Sequence, residues 1–154
     1  MLAFLDAPAH GQISNNDIGK GTFAAGLNYP GLGFKYFLSD DYALEVKGQG
    51  QNGDDVAGLR GYRYFRPDSK VFLFVGVEAD YVRFRGAVGQ GSGYGGEVFG
   101  GAEYFVAAHV GVQADIGPAY VSLRDAATAL SADGIEYVMN VGINYYFGTG
   151  SGRH

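Results

Sequence analysis

The stretch that decides the fold is Ile135-Glu-Tyr-Val-Met-Asn-Val-Gly-Ile-Asn-Tyr-Tyr-Phe147, near the end of the chain. Its odd-numbered residues are all apolar or aromatic, whereas most of its even-numbered residues are polar or small. Alternate residues of a β-strand point to opposite faces, so this pattern predicts a strand with one apolar and one polar face. The apolar face could meet either a protein core or lipid.

The composition fits one domain made of strands. The chain has 154 residues with 27 glycines and 15% aromatic residues, against 18% charged residues. So many aromatic residues do not fit low-complexity disorder, and the combination is unusual for an ordinary soluble domain. The lack of cysteine excludes disulfide scaffolds, Cys-zinc sites and thiol catalysis. The net charge of −5 and the absence of a Lys/Arg cluster argue against nucleic acid as a partner.

About seven earlier segments show the same alternation, separated by turn signals such as Pro30-Gly31 and Asn52-Gly53. No run of about 18 apolar residues exists, which excludes a transmembrane helix. No helix is long enough for a parallel crossover. The sequence therefore predicts an all-β, eight-stranded antiparallel up-and-down barrel over residues 21–147, followed by a flexible tail at 148–154. Residues 1–20 form a separate N-terminal segment: residues 1–9 are either the remnant of a signal peptide or a disordered terminus, and residues 10–20 are a polar arm.

Two barrels fit this pattern, and they differ in which face is apolar. A soluble lipocalin-like barrel binds a lipophilic ligand in an apolar cavity, which would require Val71, Leu73 and Val75 to point inward; an outer-membrane barrel has an apolar outer face and a polar lumen. The polar faces of the strands carry glycines, large aromatics and charges of both signs, which suits a narrow lumen. The predicted polar network of this lumen consists of Glu45, Lys47, Arg63, Glu78, Asp80, Glu103, Asp115 and Glu136. Tyrosines at the ends of the apolar faces are typical of a membrane-interface girdle: Tyr29, Tyr42, Tyr81, Tyr104 and Tyr145. We therefore favour a transmembrane barrel.

Several motifs resemble the small eight-stranded outer-membrane proteins of Gram-negative bacteria, the OmpA/OmpX-like barrel domain. They are Gly33-Phe-Lys-Tyr-Phe-Leu-Ser-Asp40, its partial echo Gly61-Tyr-Arg-Tyr-Phe-Arg-Pro-Asp68, Gly101-Ala-Glu-Tyr-Phe105, and the ending Gly142-Ile-Asn-Tyr-Tyr-Phe147. The resemblance implies an outer-membrane monomer whose partners are outer-membrane lipid, lipopolysaccharide and the barrel-assembly machinery. It implies that Tyr145 and Phe147 act as the assembly signal. It also implies periplasmic turns at 39–41, 66–70 and 107–108, with 89–93 and 125–134 outside the cell, where they could meet a ligand of unknown kind.

The chain carries little catalytic potential. The glycine run from Gly89 to Gly96 lacks the following helix and the Lys of a phosphate-binding loop, so we interpret it as a flexible hairpin loop. Glu78 and Asp80 share a strand face, but an ion-pair network in a packed lumen explains them better than acid/base catalysis. A related family of lipid A deacylases has a His-x-Ser motif on a strand, where this chain has His109-Val-Gly111. We expect a non-enzymatic protein without catalytic, cofactor-binding or metal-binding residues, and a lipid A-modifying hydrolase is the third hypothesis.

Overall fold

The protein forms one closed barrel of eight antiparallel strands. The structure is a computed structural model, and it describes residues 18–28, 31–67, 70–86, 89–128 and 131–147. The strands are β1 (Phe23–Asn28), β2 (Gly31–Phe37), β3 (Tyr42–Gln51), β4 (Asp54–Phe65), β5 (Val71–Gly86), β6 (Gly89–Ala107), β7 (Val110–Asp125) and β8 (Ser131–Phe147). Each strand pairs with its neighbours along the chain, and β1 closes the barrel by pairing with β8. The predicted eight-stranded up-and-down barrel is therefore confirmed.

The strands tilt because their pairing is staggered around the barrel. Following the paired residues from Ala25 on β1 across every strand leads to Ile135 on β8, whereas Ala25 itself pairs with Tyr145. The stagger is thus ten residues (145 − 135). Ten residues at about 3.3 Å over eight strand spacings of about 4.8 Å give a tilt of roughly 40°. Each residue therefore rises roughly 2.5 Å along the barrel axis.

The two ends of the barrel differ in shape. We call the end with the connections 38–41, 66–70 and 108–109 the lower end, and the opposite end the upper end. At the upper end, Asn52 and Gly53 both have positive φ angles, 51° and 94°, which suits the two-residue turn between β3 and β4. The strands β1 and β2 have only six and seven residues, whereas β5 to β8 have 16 to 19. The upper rim is therefore uneven, with a long side and a short side.

The apolar faces of the strands point outward. Leu73, Val75 and Val77 on β5 are exposed on the outer surface, Val77 by 60% of its area. The interior instead holds Phe72, Phe74 and charged side chains, so the soluble barrel with an apolar cavity is wrong. Within the part of the chain that the structure describes, no helix is long and apolar enough to cross a membrane.

Some local predictions were wrong. The glycine run expected to be a flexible loop is the first part of β6, because its glycines let neighbouring backbones approach closely. A Cβ atom on Gly93 would lie 2.2 Å from the carbonyl oxygen of Ser122 on β7. Pro118 lies within β7, and the β6–β7 pairing lapses there between Glu97 and Gly100 because proline has no N–H to donate.

The ends of the chain are described only in part. Residues 1–17 and the tail 148–154 lie outside the described residues, so the predictions for them remain predictions. Ile18, which was assigned to the N-terminal arm, is buried with Thr22 at the lower end of the barrel. Arg66 donates hydrogen bonds to the carbonyl oxygens of Ile18 and Asp40, so this part of the arm closes the lower end.

Candidate functional site: the filled lumen

The lower half of the lumen is filled by aromatic side chains. These inward-facing residues, the aromatic plug, are Phe37, Tyr62, Tyr64, Phe72, Phe74, Phe99, Phe105 and Tyr146. Neighbouring rings lie 4.8 to 6.2 Å apart, mostly edge-on or tilted, as in a packed protein core. An eight-stranded barrel is just narrow enough for side chains to fill it. The plug therefore fills the lower half of the lumen with packed rings.

Lys35 lies above the plug and links it to the polar side chains. Its ammonium group donates hydrogen bonds to the hydroxyl of Tyr64 (2.8 Å) and to Oε1 of Gln113 (2.9 Å), and lies 4.4 Å from the centre of the Tyr62 ring. Glu103 lies 4.0 Å away and accepts hydrogen bonds from Asn144 (2.8 Å) and from Tyr146 (2.7 Å). This buried cation is thus balanced by a carboxylate whose oxygens both have donors, as burial of charge requires.

Arg60 is the centre of the polar half of the lumen. Only 1% of its surface is exposed, and its guanidinium contacts Asp115 through both terminal nitrogens, at 3.3 and 2.9 Å. Its Nε atom lies 2.9 Å from Glu78, within ion-pair distance but without hydrogen-bond geometry. The group also stacks 3.8 Å from the centre of the Phe99 ring. Gln113 and Asn140 donate to Asp115 at 3.0 and 2.9 Å, so this carboxylate is fully surrounded by donors.

Negative charge predominates towards the upper end of the lumen. Lys47 pairs with Glu78 and lies 3.9 Å from Asp80. Glu97 stands directly opposite Glu78 on the next strand, is 7% exposed, and has one oxygen without a hydrogen-bond partner. Among the described residues that are buried or partly buried in the lumen, three cations face six carboxylates: Lys35, Lys47 and Arg60 against Glu45, Glu78, Asp80, Glu97, Glu103 and Asp115. The lumen carries a formal excess of three negative charges when all these groups are ionised.

The structure brings most of the predicted network together. Glu45, Glu78, Glu103 and Asp115 are buried in the lumen, and Lys47 and Asp80 are partly buried there. Arg63 was predicted to face the lumen, and this was wrong. The β3–β4 pairing is regular and sets Arg60 against Glu45 and Tyr62 against Ala43, which turns Arg63 outward onto the ring of Phe65.

Glu136 departs from the predicted network for a different reason. It is on the inward-facing side of β8 but exposed, because this part of β8 extends above the short strands β1 and β2. Strand alternation alone therefore predicts the side of β8 on which Glu136 lies, but not its position along the barrel axis.

Several residues of the network were missed by sequence reasoning. They are Lys35, Arg60, Glu97 and Gln113, with Asn28, which donates to Glu45 at 2.7 Å. Asn140 and Asn144 lie on the polar face of the final strand, which the sequence predicts to face the lumen, and both contribute to the network there. Arg60 had a usable signal, since it shares its strand face with Tyr62 and Tyr64. Those tyrosines suit either an interface girdle or a lumen, and only the pairing with β3 distinguishes the two.

The outer surface carries two belts of aromatic side chains. The lower belt consists of Phe23, Tyr36, Tyr42, Phe65, Tyr104, Tyr145 and Phe147, and the upper belt of Tyr81, Tyr94, Tyr120 and Tyr137. Of the predicted girdle, Tyr42, Tyr81, Tyr104 and Tyr145 lie in these belts, and Tyr29 lies outside the described residues. Tyr94 and Tyr104 are ten residues apart on β6, which corresponds to roughly 25 Å along the barrel axis. The surface between the belts is apolar.

The remaining candidate residues lie away from the polar network. His109 lies in the connection between β6 and β7, with its ring 6.0 Å from that of Tyr145. Tyr145 and Phe147, the predicted assembly signal, are exposed at the end of β8, where Phe147 pairs with Phe23. Among the described residues, no group of three His, Cys, Asp or Glu side chains is arranged to hold a metal ion.

Comparison with known proteins shows the fold but not the function. No protein-family model matches the chain, and no curated protein matches its sequence. Among solved structures, the chain is similar to the N-terminal β-barrel domain of OprF from Pseudomonas aeruginosa. The match has a TM-score of 0.56 at 14% identity and covers 84% of this chain and 100% of the OprF domain. The chain thus shares the fold of this β-barrel domain.

Proposed function

We propose that the protein is a non-enzymatic, monomeric barrel of a Gram-negative outer membrane, with a lumen closed to ions and solutes. One observation carries the proposal: an apolar outer surface roughly 25 Å tall lies between two aromatic belts, the dimensions of the lipid-facing band of outer-membrane barrels. From the lower end up to the β1–β2 hairpin, where all eight strands pair, the closed barrel satisfies its backbone hydrogen bonds between strands, as a lipid environment requires. The sequence motifs and the fold shared with the OprF domain support the same conclusion.

A structural or interaction role suits this barrel better than transport. The aromatic plug and the ion pairs of Arg60 fill the lumen, which supports a role other than transport. The strands β5 to β8 continue past the upper belt. On β6, the five residues beyond Tyr94 extend the strand by roughly 12 Å along the barrel axis. This projecting sheet exposes Arg83, Arg85, Arg124, Asp133 and Glu136. We propose that this surface contacts lipopolysaccharide or an extracellular ligand.

The proposed role of the final strand concerns assembly. Tyr145 and Phe147 are accessible on the outer face of the last strand, where the barrel-assembly machinery could contact them. The β1–β8 pairing begins at Phe147, the aromatic residue that ends the closing strand. Recognition by the assembly machinery and closure of the barrel would therefore occur at the same place.

The proposed membrane location is tested by placing a charged residue at the middle of the apolar outer surface. Val77 pairs with Val98, which lies between Tyr94 and Tyr104 on β6. We expect Val77→Arg to lower the unfolding free energy in lipid vesicles by about 2–4 kcal/mol, the cost of arginine at the bilayer midplane. Asp133→Arg, beyond the upper belt, is the control and should change it by less than about 1 kcal/mol.

The measurement is urea unfolding in phosphatidylethanolamine/phosphatidylglycerol vesicles, followed by the mobility of unheated samples on gels. On a soluble barrel both substitutions would lie on a wet surface and have equally small effects. That result, or a folded and monodisperse protein in plain buffer, would overturn the proposal. The closed lumen is tested separately in planar bilayers, where we expect no conductance steps.

A further inference from the structure

Among the residues that the structure describes, the barrel wall is incomplete above the hairpin formed by β1 and β2. Asn28 is the last residue of β1 and pairs with Gly142, yet β8 continues for eleven more residues to Ser131. On the other side, β2 pairs with β3 as far as Gly48, and β3 continues to Gln51. Above the hairpin, the edges of β8 and β3 therefore face each other across the width of two missing strands.

This gap forms an apolar groove on the outer surface. Its volume is about 800 Å³, within the range of about 300–1,000 Å³ typical of ligand pockets. The lower part is lined by Leu27, Leu32, Val141 and Ile143. Gly48 and Gly50 form one wall without side chains, and a Cβ atom on Gly48 would meet nothing within 4 Å. Gln49 and Gln51 alternate with these glycines along β3 and also line the groove.

The depth of the groove matches the acyl chains of the outer leaflet. Gly142, level with the hairpin tip, is five residues below Tyr137 of the upper belt, or roughly 12 Å along the axis. The apolar surface is roughly 25 Å tall, so the groove occupies its upper half. In a membrane it would be open sideways to lipid.

Within the described part of the chain, the edge of β8 beside the groove has no partner strand. From Tyr137 to Val141, β8 pairs with β7 on one side, whereas its pairing with β1 ends at Gly142. Unpaired backbone groups cost several kcal/mol each in a hydrocarbon environment. An occupant that is apolar at one end and carries hydrogen-bonding groups at the other would satisfy both the lower groove and this edge.

We propose that the groove above the β1–β2 hairpin binds one lipid molecule of the outer leaflet, an inference that rests on the proposed membrane location. An acyl chain lies against Leu27, Leu32 and Val141. The ester or amide groups of the lipid reach the free edge of β8 and the side chains of Gln49 and Gln51.

The test fills the groove and measures the retained lipid. Wild-type protein and variants are refolded into phosphatidylethanolamine/phosphatidylglycerol vesicles containing lipid A, extracted in mild detergent, and weighed by native mass spectrometry. We expect the wild type to retain one lipid, and Gly48→Phe or Gly50→Phe to reduce its occupancy at least tenfold. The control is Gly100→Phe on β6, where the added Cβ has only ordinary contacts and faces the same apolar surface away from the groove; it should retain the lipid.

The outcomes separate this inference from the proposed function. If all variants insert and show heat-modifiable mobility but retain lipid equally, or if the wild type retains none, the lipid site is wrong while the membrane barrel stands. A dimer mass in place of a lipid adduct would show that a second copy covers the groove, which also overturns the proposal. Failure of the wild type to insert would contradict the proposed function itself.

Discussion

Replacing Arg60 tests whether the polar lumen is a coupled network. In Arg60→Met the chain loses two hydrogen bonds to Asp115 and the ion pair with Glu78, and the Phe99 ring loses its stacked cation. Removing one partner of a buried ion pair costs about 3–5 kcal/mol. Asp115 keeps two amide donors and Glu78 keeps Lys47, so we expect the lower part of this range, about 3 kcal/mol.

The assay is reversible urea unfolding in vesicles, followed by far-UV circular dichroism because the chain has no tryptophan. Arg63→Met is the matched control on the same strand. Arg63 faces outward near the lower belt, where a basic residue costs or gains only about 0–1 kcal/mol. The double variant Arg60→Met/Asp115→Leu should recover part of the loss, because it removes the uncompensated carboxylate. An unfolding free energy for Arg60→Met within about 0.5 kcal/mol of the wild type, or strictly additive single effects, would refute the coupled network.

Three further predictions concern the plug, the glycine run and the upper turn. Phe72→Ala should lower the unfolding free energy by about 3–5 kcal/mol through the cavity it leaves, and a loss below about 1 kcal/mol in the same urea assay would mean that the plug is loosely packed. Gly93→Ala should destabilise the barrel because its Cβ would meet the backbone of Ser122, whereas Gly134→Ala, which meets nothing within 4 Å, should raise the unfolding free energy by about 0.4–1 kcal/mol. At the upper turn, hydrogen bonds from the backbone N–H groups of Thr128 and Ala127 hold the pKa of Asp125 below its usual range. Because folding lowers this pKa, the carboxylate stabilises the turn at pH values above the pKa of the unfolded carboxyl. The stabilisation is lost as the pH falls through the pKa of the folded carboxyl. Amide exchange at Ala127 and Thr128 should therefore be slow near neutral pH, relative to Asp125→Asn, and the difference should disappear in acid; a difference that persists unchanged would contradict the role of the carboxylate.

The sequence by itself determined the class of fold and the direction of its faces. Alternation is a local property, because successive side chains of a strand must point to opposite sides whatever the strand pairs with. Eight alternating segments without a crossover helix therefore sufficed for the barrel. The placement of Glu45, Glu78 and Asp115 in the lumen followed from the glycines, large aromatics and charges of both signs on the polar faces, which suit a narrow lumen. The two-residue turn at Asn52 and Gly53 was also readable, because only certain residues adopt positive φ angles at low cost.

The tertiary structure alone decided what depends on register and height. Arg60 rather than Arg63 enters the lumen because β4 pairs with β3 in one register, and a shift by one residue exchanges the two faces. Glu136 is on the inward-facing side of β8 but lies above the short strands. The glycines of β6 form a strand rather than a loop because β7 approaches them closely. The groove beside β8 arises from the difference in length between strands that are distant in sequence. Such features depend on pairing between remote segments, which the local pattern of a single chain does not encode.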